Sequence, residues 1–337
     1  MSKRKNDVIM DIMKRLIIIL SILFLPAAAH AQYRERLTYD IFKDTNPSYV
    51  EDGVYKELYD TGELKRLLRF DKELPNGVFN VFYKDGTLKG EGIYVNGVQQ
   101  LEARTYHPNG KIESELNFKD GALHGAAKYF TEKGVLRREA NYKDGLLQGS
   151  TKDYFATGEL QYERQYHNGQ AWGDAKEYDL AGNLLRSTGF KNGVQDGIIR
   201  IYDEAGRVMK AFEAYNGVPT GSVKEYYPSG ELRSIGKLQE EGSLADGMVK
   251  EYYKSGELKQ EAQVAKGLRH GFAQEYFPTG NVKSKGNFVE GKKEGVFKIY
   301  KNNGFLSKEE TYKAGELVTT KNYDEYGNLI EDRPTND

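Results

Sequence analysis

The stretch NGVPTGSVKEYYPSGEL, residues 216–232, contains both turns of a repeated pattern that fills most of this sequence. Its last glycine recurs twelve times along the chain, with successive spacings of 24 residues seven times and then of 26, 24, 24 and 23. A fixed period of this size indicates one supersecondary unit that is copied along the chain. Positions are counted below from this first-turn glycine, which stands at Gly62, Gly86, Gly110, Gly134, Gly158, Gly182, Gly206, Gly230, Gly256, Gly280, Gly304 and Gly327.

Two apolar columns accompany the repeated glycine. Position −4 is aromatic in eleven of the twelve units, and position +2 is Leu, Ile or Val in all twelve. A second turn follows eleven residues after most of these glycines, as at Asp120-Gly121 and Asn216-Gly217. Such dipeptides between apolar runs are strong hairpin signals. Two turns in each unit leave room for two strands of about 6 residues.

Each unit is therefore predicted to be one β-hairpin. The first turn often places Pro and a small residue before its glycine, as at Pro228-Ser229-Gly230, which predicts a type I turn with glycine in the bulge position. A single hairpin is only marginally stable in water, so neighbouring hairpins must stack. The sequence predicts an all-β fold, an elongated single-sheet solenoid of twelve antiparallel β-hairpin repeats of about 24 residues, without a second globular domain.

The composition excludes several classes of protein. The 337 residues contain 49 Lys and Arg against 50 Asp and Glu, and this balance argues against a dedicated nucleic-acid binder. The absence of Cys excludes disulfide scaffolds, thiolate zinc sites and cysteine nucleophiles. Aromatic residues make up 12% of the chain, which is too many for a disordered protein.

The first 31 residues have the pattern of a signal peptide. A basic start precedes the apolar run from Leu16 to Leu25 and a small-residue segment that ends at Ala31. This order predicts export to the periplasm or cell surface of a bacterium, with cleavage after Ala31. The alternative is an uncleaved anchor, although the apolar run is shorter than the roughly 20 residues that a membrane-spanning helix needs. Met1, Met10 and Met13 are alternative translation starts.

These features give four predicted segments. They are the signal peptide at residues 1–31, an N-terminal cap or linker at 32–52, the repeat array at 53–330 and a polar tail at 331–337. A cap is expected because an array must shield the edge of its first hairpin. The one 26-residue spacing places an insertion around residues 239–246.

The repeated unit resembles the MORN repeat in its bacterial variant form. The pattern Asn-Gly-x3-Gly-x4-Tyr-x3-Gly-x-Leu of residues 216–232 is similar to the Gly-and-aromatic signature of that family, and the resemblance covers residues 53–329. The chain differs from the eukaryotic form in having only two His-Gly steps and one Trp. The resemblance implies an extended antiparallel sheet used as a scaffold, and it implies no reaction. Bacterial relatives of the variant are often labelled antitoxin components.

No constellation of catalytic or metal-binding residues emerges from the sequence. Beyond residue 31 the histidines are His107, His124, His167 and His270, and none pairs with another at metal-ligand spacing. HExxH, GxSxG and Walker-type motifs are absent. We therefore predict no enzyme, no cofactor and no metal site, and we expect structural roles for these histidines.

Opposite charges face each other across the predicted hairpins. A three-residue loop that ends at the turn glycine places position −5 opposite position +3, which pairs Glu57 with Lys65 and Glu251 with Lys259. The same register places the position −4 column opposite the position +2 column. Facing pairs of opposite charge predict that this face is exposed to solvent.

A row of basic residues is predicted on the other face. Position −6 is Lys or Arg in ten of twelve repeats, and in a continuous sheet these cations would stand about 10 Å apart. With the tyrosines of position −4, which offer stacking faces, the row is a candidate site for an anionic or sugar-containing polymer. We favour the alternative that the aliphatic stems cover the core while the charged ends reach water. The candidate residues are Lys128, Lys152, Lys176, Arg200, Lys224, Lys250, Tyr154, Tyr178, Tyr202 and Tyr226.

Three functional hypotheses follow. The preferred one is an exported, non-enzymatic repeat scaffold that mediates protein–protein interaction in the cell envelope, with an unidentified protein as its partner. The alternatives are a binder of envelope polysaccharide or anionic lipid that uses the Lys/Arg row, and an antitoxin component of a toxin–antitoxin system. We expect a monomer and no nucleic-acid partner.

Overall fold

A computed structural model describes residues 53–238 and 244–334, with side chains up to residue 330. The predicted signal peptide at 1–31 and the predicted cap at 32–52 lie outside the described residues, as does most of the predicted insertion. The described residues contain 28 strands and no helix, all in antiparallel β-sheet, which confirms the predicted fold class. They form two compact units, residues 53–194 and residues 195–334, which are described separately.

The N-terminal unit, residues 53–194, is a series of hairpins in which each strand pairs with its neighbours in the sequence. In the first hairpin, Gly53 pairs with Phe70, and the ladder runs to Leu58 and Leu64 beside the turn. Two-residue strands after four of the second turns extend the ladders. The strands are β1 (Gly53–Leu58), β2 (Leu64–Asp71), β3 (Leu74–Pro75), β4 (Gly77–Phe82), β5 (Leu88–Val95), β6 (Val98–Tyr106), β7 (Ile112–Lys119), β8 (Ala122–Leu123), β9 (Gly125–Phe130), β10 (Leu136–Lys143), β11 (Leu146–Leu147), β12 (Gly149–Tyr154), β13 (Leu160–His167), β14 (Gln170–Ala171), β15 (Gly173–Tyr178) and β16 (Leu184–Lys191).

The C-terminal unit, residues 195–334 together with the start of its first strand at Val194, repeats the same plan. Its last strand reaches Pro334, so strand structure continues past residue 330, where the repeat array was predicted to end. The strands are β17 (Val194–Tyr202), β18 (Val208–Tyr215), β19 (Val218–Tyr226), β20 (Leu232–Lys237), β21 (Gly247–Tyr252), β22 (Leu258–Ala265), β23 (Leu268–Tyr276), β24 (Val282–Val289), β25 (Lys292–Tyr300), β26 (Leu306–Lys313), β27 (Glu316–Tyr323) and β28 (Leu329–Pro334).

The two turns of each repeat require residues that accept a positive φ. In the first turn, Gly110 has φ 79° and its N–H donates to the carbonyl of His107 at 2.8 Å. In the second turn, Asp120 and Gly121 have φ 51° and 78°. Two consecutive residues with positive φ are typical of the type I′ turn, which matches the twist of the flanking strands. This geometry explains why Asn-Gly and Asp-Gly recur there.

A β-bulge after each first turn changes the predicted register. Position −4 pairs with position +2 as predicted, for example Tyr154 with Leu160. Position −5, however, pairs with position +4 rather than +3, as in the pairing of Glu57 with Arg66. The extra residue at position +3 still reaches the carboxylate, since Lys65 Nζ lies 2.6 Å from Glu57 Oε1.

The burial of position −5 refutes one expectation about the faces. Position −5 lies on the same side of the strand as the core position −7, because side chains alternate along a strand. Glu251 at position −5 is 6% exposed, and Lys259 Nζ lies 2.9 Å from its Oε1 atom. The prediction that these ion pairs mark the solvent-exposed face was wrong. They lie at the margin of the core beside the first turn.

The core is formed by positions −7, +6 and +8 of successive repeats. Large and small side chains complement each other across the ladder: a Cβ on Gly92 would stand 2.6 Å from the ring of Phe79, with which it pairs. The N-terminal unit has one apolar cluster and the C-terminal unit has two. Their buried members are Leu68, Phe70, Phe79, Val81, Tyr94, Ala103, Leu116, Phe118, Ala127, Tyr129, Ala140 and Tyr142, then Ile199, Phe212, Ala214, Val223, Leu238, Leu244 and Val264, and finally Ala262, Ala273, Phe288 and Phe297.

Side chains at position −3 connect neighbouring repeats at the first turn, a role that the sequence analysis missed. Tyr83 donates its hydroxyl hydrogen to the carbonyl of Tyr106 at 2.7 Å, and Tyr253 does the same to Tyr276 at 2.7 Å. His107 occupies the equivalent position, with Nε2 3.0 Å from the carbonyl oxygen of Phe130. This contact gives His107 a structural role.

A second set of bonds connects neighbouring repeats at the second turn. The N–H of Gly121 donates to the carbonyl of Gln99 at 3.0 Å, one repeat earlier. The side chain at position +14 accepts the N–H at position +10 of the next repeat, as Gln100 Oε1 does from Asp120 at 3.0 Å. His270 lies at this same position, with Nδ1 3.5 Å from the N atom of Glu290.

Leu101 is a local weakness that generates a stability prediction. It has φ 63° at the position where neighbouring repeats carry Gly77 and Gly125, and its side chain is 60% exposed. The left-handed conformation costs a non-glycine residue about 1–2 kcal/mol, and the extra chain entropy of Gly offsets part of the relief. We expect Leu101→Gly to raise the free energy of unfolding by about 0.5–1 kcal/mol in urea denaturation. The matched control, Gly125→Leu, should lower it; a loss of stability in Leu101→Gly would contradict the prediction.

Candidate binding surface

The predicted basic row lies on the face of the hairpins opposite to the core. Positions −4, −6 and −8 alternate with the core positions −5 and −7 along each strand, so they share the outer face. The side chains of Lys128, Lys176 and Lys250 are 47%, 46% and 44% exposed. We call this surface, made by positions −4, −6, −8, +5 and +7, the outer face.

In the N-terminal unit, carboxylates alternate with the basic residues. Lys128 pairs in register with Glu115 on one side and Glu139 on the other, and Lys152 pairs with Glu139 and Glu163. Lys128 Nζ lies 3.9 Å from Glu139 Oε1. Exposed pairs of this kind contribute about 0–1 kcal/mol each. The row is therefore a ladder of alternating charges rather than a line of cations.

Tyrosine hydroxyls at position −4 bind the same carboxylates. Tyr154 donates to Glu139 Oε2 at 2.9 Å, and Tyr106 donates to Glu91 Oε1 at 2.6 Å. Burial and the neighbouring Glu139 carboxylate raise the pKa of Tyr154 to about 12, so the phenol remains a donor at neutral pH. This acidic column was not predicted, although the aligned repeats show it at position +5 as Glu91, Glu115, Glu139, Glu163, Glu261 and Glu309.

The ladder loses carboxylates in the C-terminal unit. Arg200 and Lys224 both pair with Ala211, and Lys224 and Lys250 both pair with Ile235. Two consecutive repeats thus keep the cation at position −6 and carry an apolar residue in place of Glu at position +5. Lys224 therefore has an apolar register partner on both sides, whereas Lys250 keeps Glu261 on its other side, with Nζ 3.8 Å from Oε2.

The other candidate tyrosines, Tyr178, Tyr202 and Tyr226, are half-buried in the position −4 column. In the N-terminal unit, Tyr154 reaches the position +5 residue of the preceding repeat. The equivalent neighbour of Tyr226 is Ala211, which offers no side-chain acceptor. The candidate row therefore divides into a part whose cations have carboxylate neighbours and a part around Lys224 and Tyr226 where Ala211 replaces the carboxylate.

Exposed apolar side chains line the outer face beside the charged ladder. They stand at position −8, two residues before the basic residue on the same strand. Half of the repeats carry a large apolar residue there, each between 36% and 57% exposed: Val54, Val78, Ile198, Met248, Phe272 and Val296.

Charged side chains on the core side form structural networks. Arg138 Nε lies 3.5 Å from Asp153 Oδ1, and Arg164 Nη1 lies 3.8 Å from Asp153 Oδ2. Arg186 Nη2 lies 2.8 Å from Glu177 Oε2. The carboxylates of Asp153 and Glu177 are thus both paired with cations, as in a structural ion-pair network. Within residues 53–238 and 244–334, no group of three His, Asp or Glu residues could hold a metal ion, and no helix could cross a membrane.

Lys210 is a buried cation without a hydrogen-bond partner. It is 4% exposed, and no described atom accepts a hydrogen bond from its Nζ. Its register neighbours are Ile201 and Glu225. Burial lowers the pKa of the Lys210 amine, and the negative charge of Glu225 opposes this shift only in part.

Replacing Lys210 by Met should stabilise the protein, because an unsatisfied buried donor costs about 1–3 kcal/mol. The pKa of Lys210 is lowered in the folded state and is 10.5 in the unfolded state. At a pH between these two values the unfolded state binds more protons at Lys210, so the free energy of unfolding should rise with pH in that range. Lys210→Met should raise the free energy of unfolding at pH 7 and abolish this rise. Urea denaturation from pH 7 to pH 10.5 measures both effects. Lys224→Met on the outer face is the control. If both substitutions changed the free energy of unfolding and its pH dependence equally, Lys210 would not be the buried, unsatisfied cation that the structure shows.

Comparison with known proteins identifies the repeats. The family described as MORN repeat variant matches this chain seven times, at residues 75–96, 99–120, 123–144, 147–168, 219–240, 245–265 and 269–290. No curated protein matches the chain.

Two solved structures align with most of this chain at low sequence identity. The crystal structure of TcdB2-TccC3 is 14% identical over 84% of this chain and 19% of that chain, with a TM-score of 0.19. The Photorhabdus luminescens Tc holotoxin pore is 16% identical over 80% of this chain and 15% of that chain, with a TM-score of 0.18. This chain thus spans less than a fifth of those chains, and TM-scores of this size support no argument about fold or function.

Proposed function

This chain belongs to the MORN repeat variant family, and we propose that it is a non-enzymatic scaffold that binds another protein through its outer face. MORN repeats indicate a scaffold or binding role. The observation that carries the proposal is the composition of the outer face, where exposed apolar side chains border a charge-compensated ladder. Protein interfaces combine an apolar centre with a polar, hydrogen-bonded rim.

The geometry of the N-terminal unit favours a protein partner over a charged polymer. The carboxylates at position +5 already compensate the cations at position −6, as Glu139 does for Lys128 and Lys152. Little net charge is left there to attract an anionic polymer over distance, since exposed charges act mainly within a Debye length of about 8–10 Å. The exposed Val54 and Val78 offer apolar contact instead.

We further propose that the scaffold acts in the bacterial cell envelope. The support is the order of basic, apolar and small residues in the first 31 residues, which is typical of export signals. Such a location suits a Cys-free chain, because the envelope is an oxidising compartment.

Mass spectrometry of the mature protein tests the location. We expect an N-terminus at Gln32 in protein recovered from the envelope fraction, because signal peptidase would cleave after Ala31. A protein that retains Met1, Met10 or Met13 and remains with the cytoplasmic fraction would refute export and would favour the antitoxin alternative.

Substitutions at position −8 test the binding face. Val78→Glu and Val296→Glu place a carboxylate where another repeat carries Glu102, so the fold should accept them. Capture of envelope proteins, quantified by mass spectrometry, should return a partner whose recovery falls about 5-fold or more in these variants, as expected for loss of an apolar anchor.

The matched control for these substitutions is Leu180→Glu. Leu180 is 60% exposed but lies in a first turn, away from position −8. Recovery of the partner should be unchanged in this variant. A partner lost equally from all three variants would show that binding depends on general surface apolarity and would contradict the assignment to the outer face.

A further inference from the structure

We propose that the outer face of the C-terminal unit binds an acidic polysaccharide, with Arg200 and Lys224 as its central contacts. The site lies where Ala211 and Ile235 replace the carboxylates of the ladder. It does not rest on the protein-binding role, which is assigned to the apolar residues at position −8.

The first argument is a comparison of matched segments. In the three repeats that contain Arg104, Lys128 and Lys152, the outer face carries these three cations against four carboxylates, which are Glu102, Glu115, Glu139 and Glu163. In the three repeats that contain Arg200, Lys224 and Lys250, it carries four cations against two carboxylates. The cations are these three and Lys237, and the carboxylates are Glu213 and Glu261, of which Glu261 pairs with Lys250 at 3.8 Å.

The second argument is the spacing of the cations. Arg200, Lys224 and Lys250 occupy alternate strands of one continuous register that passes through Ala211 and Ile235. Two strand spacings separate successive cations, which gives a repeat of about 10 Å. This length is comparable to that of one disaccharide, so a polymer with one acidic sugar in every second residue can place a carboxylate near each cation.

The third argument is the hydrogen-bonding capacity beside the cations. Tyr154 in the N-terminal unit donates to Glu139. Tyr226 has Ala211 as its equivalent neighbour, whose methyl group cannot accept a hydrogen bond from the Tyr226 hydroxyl. A phenol hydroxyl both donates and accepts, so it suits the hydroxyl and carboxylate groups of a sugar. Tyrosine rings also offer apolar faces for sugar rings.

Restoring the missing carboxylates tests the site without removing any cation. Ala211→Glu with Ile235→Glu recreates the arrangement of Glu139 between Lys128 and Lys152, and the repeat already accepts Glu at this position in six units. The probe is a fluorescent hyaluronan oligosaccharide, which carries one carboxylate per disaccharide. Wild-type protein should bind it with an affinity that falls as salt rises. The double variant should bind about 5-fold or more weakly.

Two charge-removal variants provide the matched comparison. Arg200→Gln with Lys224→Gln should weaken binding about 5-fold or more, because both cations lose their contact with the polymer. Lys128→Gln with Lys152→Gln removes the same charge from the compensated ladder and should change binding by less than about 2-fold. Equal losses in the two variants would overturn the site, since they would show a response to net charge alone.

Competing ligands separate the polysaccharide from other polyanions. Uncharged dextran should not bind. Poly-glutamate, or vesicles of equal parts phosphatidylglycerol and phosphatidylcholine, should bind more weakly than hyaluronan; equal or tighter binding of either would overturn the assignment to a polysaccharide. Val78→Glu should leave hyaluronan binding unchanged, although it should weaken binding of the protein partner. The polysaccharide site and the protein-binding role can therefore fail independently of each other.

Discussion

Contact between successive hairpins is the constraint on which the rest of each unit depends. A two-stranded hairpin cannot bury its own apolar face, and it is marginally stable alone. The structure meets this constraint at both turns. The hydroxyl of Tyr83 binds the first turn of the next repeat, and the N–H of Gly121 binds the second turn of the preceding one. Each bond contributes only about 0.5–1.5 kcal/mol, but the set recurs in register with the burial of Phe79, Leu116 and their neighbours.

Periodicity predicts what recurs at a constant distance and misses what changes register within a unit. The twelve glycines and the columns at positions −4 and +2 were sufficient to predict the hairpins, the two turns and the pairing of Tyr154 with Leu160. The bulge at position +3 could not be read from the same columns. Alternation from the apolar column at position −4 placed Glu57, at position −5, on the exposed face, but the position −4 column lies on the outer face and the core lies at positions −7, +6 and +8.

The carboxylates that stand between the cations of the candidate row were not predicted. A count of position −6 alone shows ten basic residues, and only the ladder shows that Glu139 stands between Lys128 and Lys152. The roles of Tyr83 and His107 at position −3 were also missed, because Tyr, His, Thr, Phe, Asp and Lys share that position and no single residue type marks it. What unites several of these side chains is a polar tip that reaches a carbonyl 23 residues away.

A repeat array makes its departures from the pattern informative, because each unit is a control for the others. Arg164 stands at the core position +6, yet it pairs with Asp153, which also binds Arg138, so this cluster remains compatible with a structural role. The departures at Ala211 and Ile235 are different, because they remove a charge without removing the opposite charge beside it. Their outer-face neighbours Arg200 and Lys224 keep their charge while the compensating carboxylate is absent. An exposed ion pair contributes at most about 1 kcal/mol, so fold stability does not require either partner. The uncompensated cations are therefore free to act on a ligand, and the same cations in the compensated ladder are not.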